Sequence, residues 1–118
     1  DGGLPRFGVA KPHPRSYGSF TRKIRKYVLE DNVVSLEQAI RSMTSLPATA
    51  FRIRDRGTLR PGAYADVVVF DLDRIRDRAT YTDPHQYSEG VVHVLVNGEL
   101  ALREEEMTGS MSGEVLRR

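Results

Sequence analysis

DRGTLRPGAYADVVVFDLD, residues 55–73, is where the chain changes character. Gly57 and the Pro61-Gly62 pair punctuate it, and Pro61-Gly62 fits the two central positions of a type II turn. The β-branched run Val67–Phe70 that follows reads as a strand. Downstream, GVVHVLVNGELAL (90–102) supplies a second apolar stretch, the Asn97-Gly98 hairpin signal and a return strand through Leu102. Between the two, DRIRDRATYTDPHQYSEG (73–90) is polar and proline-punctuated, and reads as a long excursion over a surface. The closing GEVLRR (113–118) offers one more short strand.

Upstream of residue 55 the hydrophobic period is helical. Residues 1–19 are rich in glycine and proline, show little periodicity and read as loop. With Thr21 as N-cap, TRKIRKYVLED (21–31) places Ile24, Tyr27 and Val28 on one face and basic residues on the other. SLEQAIRSMTS (35–45) begins with Ser35 and Gln38 at capping-box spacing and carries Leu36, Ala39, Ile40 and Met43 as one apolar stripe. SLPATAFRI (45–53), with Pro47 suited to a first turn, gives a third, shorter helix ending near Phe51. Loop, helices, then a small β unit is an α+β order.

A chain of 118 residues and 13.3 kDa suits one domain with a modest core. Its 18 basic and 16 acidic residues give a formal net charge of +2, too balanced for a dedicated nucleic-acid binder. It has no cysteine, which excludes a disulfide framework, a thiol nucleophile and a Cys-based zinc site. The compartment is therefore open, with the cytoplasm as the working expectation. No apolar run approaches the roughly 20 residues of a membrane-spanning helix. DGGLPRFG (1–8) has neither an initiator Met nor a signal-peptide pattern, so the chain is expected to begin inside something larger.

Three stretches together carry a family resemblance: HPRSYGSF (13–20), MTSLPATAFRIRDRGTLRPGAYADVVVFD (43–71) and DPHQYSEGVVHVLVNGEL (83–100). Over essentially its whole length the chain resembles the C-terminal part of a D-aminoacylase, the N-acyl-D-amino-acid deacylase branch of the metal-dependent amidohydrolases. LRPGAYADVVVFD followed by VNG is shared with many amidohydrolases, whereas HPRSYGSF and DPHQY narrow the resemblance to this branch. The resemblance implies a TIM (β/α)₈ barrel with a small β-sandwich domain. Residues 1–56 would be the C-terminal end of the barrel, its last loop and helices, and 57–118 the C-terminal part of the sandwich. It implies zinc as cofactor, an N-acyl-D-amino acid as substrate, and the remainder of the same enzyme, barrel and N-terminal β strands, as partner. The main metal ligands of the family lie outside this chain, so the fragment alone is expected to be inactive.

By its position before glycine and upstream of HPR, Asp1 resembles the family's carboxylate that takes a proton from the metal-activated water and hands it to the leaving amine. It is also a weak candidate metal contact. Read from the residues alone, it is a solvated chain end. Arg15 is the candidate for substrate binding, because a guanidinium clasps a carboxylate through two parallel hydrogen bonds. Pro12 and Pro14 would fix its approach and Gly18 would release the chain into the helix at Thr21. The alternative is a structural arginine tied to a neighbouring carboxylate.

Tyr17 and Phe20 read as loop-packing aromatics, His13 as a hydrogen-bonding residue and His85 as a packing or capping residue. His93 reads as a half-buried strand residue, and RIRDR (74–78) as a solvated face. Two other functions compete with the deacylase: a cyclic-amide amidohydrolase of dihydroorotase or hydantoinase type, and a non-enzymatic β module. Bare sheet edges argue against the last.

Overall fold

The computed structural model describes residue 3 and residues 6–116. The element order is helical first and β second, as the patterning predicts: α1 (Arg15–Arg22), a π-helical continuation (Lys23–Glu30), α2 (Leu36–Met43), α3 (Ser45–Ala50), then β1 (Val67–Phe70), β2 (Val91–Val96), β3 (Glu99–Arg103) and β4 (Glu106–Met107).

The first helix begins six residues before Thr21, inside the stretch expected to be loop. Pro14 already has helical φ and ψ, and the His13 ring accepts the Arg15 N–H at 3.1 Å, so the start is capped from outside the helix. Thr21 is therefore an interior, buried residue whose hydroxyl meets Ser88 Oγ at 2.7 Å. Gly18 is not a release point but a packing position on α1, where a Cβ would stand 2.7 Å from Asp77 Cβ. From Lys23 the winding loosens to i→i+5, with Asp31 N–H donating to Lys26 O at 2.8 Å. The same spacing brings Arg25 to Glu30 at 2.9 Å and Lys26 to Asp31 at 2.8 Å. Ile24 and Val28 are buried, while Tyr27, assigned to the same stripe, is exposed.

α2 follows its sequence reading closely. Ser35 and Gln38 form the reciprocal capping box, Ala39 is buried, and Leu36, Ile40 and Met43 are half-buried on its face. α3 runs from Ser45 to Ala50 with Pro47 inside its first turn. The Pro61-Gly62 turn closes with Ala63 N–H donating to Arg60 O, Gly62 at φ +85°.

The sheet is an antiparallel meander in the order β1-β2-β3-β4, leaving β1 and β4 as edges. Val96 pairs with Glu99 across the Asn97-Gly98 turn, whose two residues are both left-handed, the backbone of a type I′ hairpin. A second tight turn, Glu104-Glu105, is left-handed at both residues and leads into β4, which has no glycine or asparagine signal in the sequence. The strand expected at 113–118 does not form over the described residues up to 116. Glu114 instead reaches back to Arg56 at 2.7 Å.

The excursion 73–90 lies over α1. Ile75, inside RIRDR, is 1% exposed and Ala79 is buried, so that segment is not merely a solvated face. Its charged residues pair with Glu89, Glu105 and Arg22. Gly90, at φ +79°, closes the excursion; a Cβ there would lie 2.5 Å from Ile75 N. No side chain fits so close to main chain.

A second node joins the helical half to the sheet. The Arg56 side chain, 10% exposed, bonds Asp66, Asn97 Oδ1 (2.6 Å) and Glu114 (2.7 Å) and lies 4.1 Å over the Tyr64 ring. Asp66 also accepts the Asn97 N–H at 2.9 Å. Burial alone would raise the Asp66 carboxyl, but that N–H and the Arg56 guanidinium outweigh it and hold it below the usual carboxylate range.

Candidate functional site

Arg15 stands exposed at the first position of α1. Its N–H donates to His13 Nδ1, and its carbonyl accepts the Ser19 hydroxyl at 2.8 Å. Because His13 Nδ1 accepts, the neutral ring carries its proton on Nε2, which faces the Tyr81 hydroxyl at 3.2 Å.

The loop before Arg15 is held in the same way by the second histidine of the region. His85 Nε2 donates to Ala10 O at 2.9 Å, which leaves Nδ1 as an acceptor. There the Gly8 N–H (3.2 Å) and the Tyr17 hydroxyl (2.9 Å) share its lone pair. Burial and the neighbouring Tyr87 raise the Tyr17 hydroxyl above its ordinary value, so it stays a donor. Around these bonds Phe7 stacks on Tyr87 (5.1 Å, 22°), and Tyr17 meets Phe7, His85 and Tyr87 edge-on at 6.2, 5.6 and 5.8 Å. Ser88 Oγ donates to Tyr17 O at 3.2 Å.

HPRSYGSF and DPHQY, 63 or more residues apart in sequence, are thus one aromatic and hydrogen-bonded cluster in space. His13 is a hydrogen-bonding residue and His85 a packing one, as read from sequence. Their pairing with Tyr81 and Tyr17 was not legible there. The available signal was composition: two of the chain's three histidines and three of its five tyrosines lie in 13–17 and 81–87. Phe20 departs from its reading as a packing aromatic, being 68% exposed on α1. His93 is half-buried in β2 and accepts the Glu104 N–H at 3.2 Å.

Asp1 lies outside the described residues, so its geometry with Arg15 is not given. Among the described residues no group of three His, Cys, Asp or Glu side chains comes together to hold a metal. Both nitrogens of His13 and of His85 are engaged by protein groups. The described residues therefore do not fit a zinc site. A concavity of about 900 Å³ lined by Phe51, Ile53, Arg56, Tyr64 and Glu114 among others shares no residue with the Arg15 segment. What the Arg15 segment offers is a planar cation at a helix start, on a backbone fixed by two neutral imidazoles. That arrangement suits an anionic group.

The amidohydrolase family matches residues 1–101, most of the chain. The chain belongs to the amidohydrolase family. This amidohydrolase segment is 49% identical over 116 residues to the N-acyl-D-glutamate deacylase of Alcaligenes xylosoxydans xylosoxydans, covering 98% of this chain and 23% of that protein. It superposes on a D-aminoacylase crystal structure with a TM-score of 0.89 at 39% identity, covering 92% of this chain and 23% of that one. The N-acyl-D-glutamate deacylase of Bordetella bronchiseptica, solved with zinc and a phosphonate mimic of the tetrahedral intermediate, matches with a TM-score of 0.77 at 53% identity over 78% of this chain and 19% of that one. A dihydroorotase of Lactobacillus acidophilus is similar over a shorter stretch, 36% identical across 62% of this chain. The chain spans about a quarter of the length of the deacylases it resembles.

No helix among the described residues is long and apolar enough to cross a membrane.

Proposed function

We propose that this amidohydrolase segment is the C-terminal part of a zinc-dependent hydrolase that cleaves the amide bond of N-acyl-D-amino acids, releasing a carboxylic acid and a D-amino acid. The observation that carries the reading is the similarity to N-acyl-D-amino-acid deacylases through 98% of the chain, which includes both HPRSYGSF and DPHQY. The dihydroorotase similarity covers less of the chain at lower identity, which ranks a cyclic-amide hydrolase second.

In this reading residues 1–56 end a (β/α)₈ barrel and residues 57–118 form part of a small β-sandwich. The surface supports it: a self-contained protein of 13.3 kDa exposes roughly 6,450 Å², whereas this chain exposes 8866 Å². Val68 and Val69 on the β1 edge are 56% and 44% exposed, the kind of edge that further strands cover. The zinc is held by residues elsewhere in the longer polypeptide, and the segment by itself is inactive.

Arg15 binds the substrate carboxylate with paired N–H donors and so fixes the acyl amide relative to the reacting water. Asp1 moves the proton, accepting it from the attacking water and returning it to the amine as the C–N bond breaks.

Steady-state kinetics of the full-length polypeptide test both roles. Arg15→Ala is expected to raise KM for N-acetyl-D-amino acids about 10- to 100-fold, with little change for the matching amides, which lack the carboxylate. Asp1→Asn is expected to lower kcat about 10²- to 10⁴-fold. Equal losses on acid and amide after Arg15→Ala would remove Arg15 from carboxylate binding.

A further inference from the structure

The loop before Arg15 has few ties of its own. Among the described residues 6–12, its main-chain hydrogen bonds to the rest of the molecule are Gly8 N–H to His85 Nδ1 and Ala10 O to His85 Nε2, the remaining bond being the local Val9 to Arg6 turn. Gly8 and Ala10 are both left-handed, at φ +76° and +59°, so this path is one that the chain does not hold by default. One ring, acting as donor on one side and acceptor on the other, fixes it.

That ring sits on a rigid platform. Thr80 and Asp83 close a turn on each other, Thr80 N–H to Asp83 O and Asp83 N–H to Thr80 Oγ1, both at 3.0 Å. Pro84 is buried, and Gln86 donates to Asp83 Oδ2 at 2.5 Å. Tyr81 extends from the same turn to His13, whose other nitrogen caps the Arg15 N–H. The excursion thus grips the chain on both sides of Pro12. His85 is only half-buried and fills no core. Its contribution is the placement of the loop.

We propose that His85 is a positioning residue for Arg15, setting from the 80–88 excursion the path by which the chain delivers that guanidinium to the substrate carboxylate. The substrate arm of this inference rests on the deacylase reading above; the loop arm does not. Removal of the ring frees residues 6–12 from both bonds. Asparagine restores an acceptor at the place of Nδ1 for Gly8 and Tyr17, and is the conservative variant.

The test is made on the full-length polypeptide with His85→Ala and His85→Asn. Amide hydrogen exchange of a peptide spanning residues 6–15 is expected to quicken about tenfold or more in the alanine variant, to recover largely in the asparagine variant, and to leave β2 and β3 unchanged. In parallel, kcat/KM for an N-acetyl-D-amino acid is expected to fall about 10- to 100-fold through KM in His85→Ala, while the matching amide substrate changes less than about twofold. Unchanged exchange in residues 6–15 overturns the proposal, whatever the kinetics. Quickened exchange with equal losses on acid and amide also overturns it, because His85 would then support the fold rather than Arg15. A wild-type polypeptide that cleaves neither substrate overturns the deacylase reading, and the exchange arm still decides whether His85 holds the loop.

Discussion

At the scale of single residues, the tightest constraint lies at Gly90. Its left-handed backbone and the Ile75 main chain 2.5 Å from a hypothetical Cβ leave room for hydrogen alone. Gly90→Ala is expected to cost at least about 1–3 kcal/mol from the backbone conformation, with the collision added, read as a lowered unfolding midpoint. A midpoint unchanged from wild type would mean that the excursion does not pack on α1 as described. In the sequence Gly90 read only as the start of an apolar stretch, because the partner that excludes a side chain is 15 residues away. Arg15 is the opposite case. Its residue type and its neighbours Pro14 and His13 were legible, but that it opens a helix was not, since its cap comes from the histidine ring rather than from an N-cap side chain.

At the scale of elements, local chemistry was readable where it is self-contained. The Ser35–Gln38 capping box and the Asn97-Gly98 hairpin need nothing beyond their own residues, and both form. Thr21 misled because it looks like a cap and is instead paired with Ser88, across 67 residues. The Glu104-Glu105 turn carries no turn signal, and its backbone is drawn in by β3 pairing with β4. The Arg56 node is likewise non-local, joining residues 56, 66, 97 and 114. Since the folded state holds the Asp66 carboxyl below its usual value, its charge contributes stability above about pH 4, and that contribution is lost as pH falls through the depressed value. Thermal unfolding of wild type and Asp66→Asn between pH 7 and 3 is expected to show a gap that narrows on acidification. A gap of constant size would separate Asp66 from the node's electrostatics.

At the scale of the whole molecule, six buried apolar side chains among the described residues, of which Ile75 is the one large group below 2% exposure, make a small core for a chain with this much surface. The helical half and the sheet are joined through polar nodes at Arg56 and at the His85 cluster rather than through a shared apolar interior. Such a body is completed by packing against more protein, in keeping with its span of about a quarter of its relatives. The position of Arg15 at the rim of this body, held from the β half, is where the local chemistry meets that larger architecture. The most direct measurement is hydrolysis by the purified full-length polypeptide, assayed on a panel of N-acetyl-D-amino acids beside dihydroorotate, with bound zinc determined on the same sample. The account predicts release of acetate and free D-amino acid by a zinc-containing protein that leaves dihydroorotate intact; turnover of dihydroorotate with no N-acetyl-D-amino acid cleaved would contradict it.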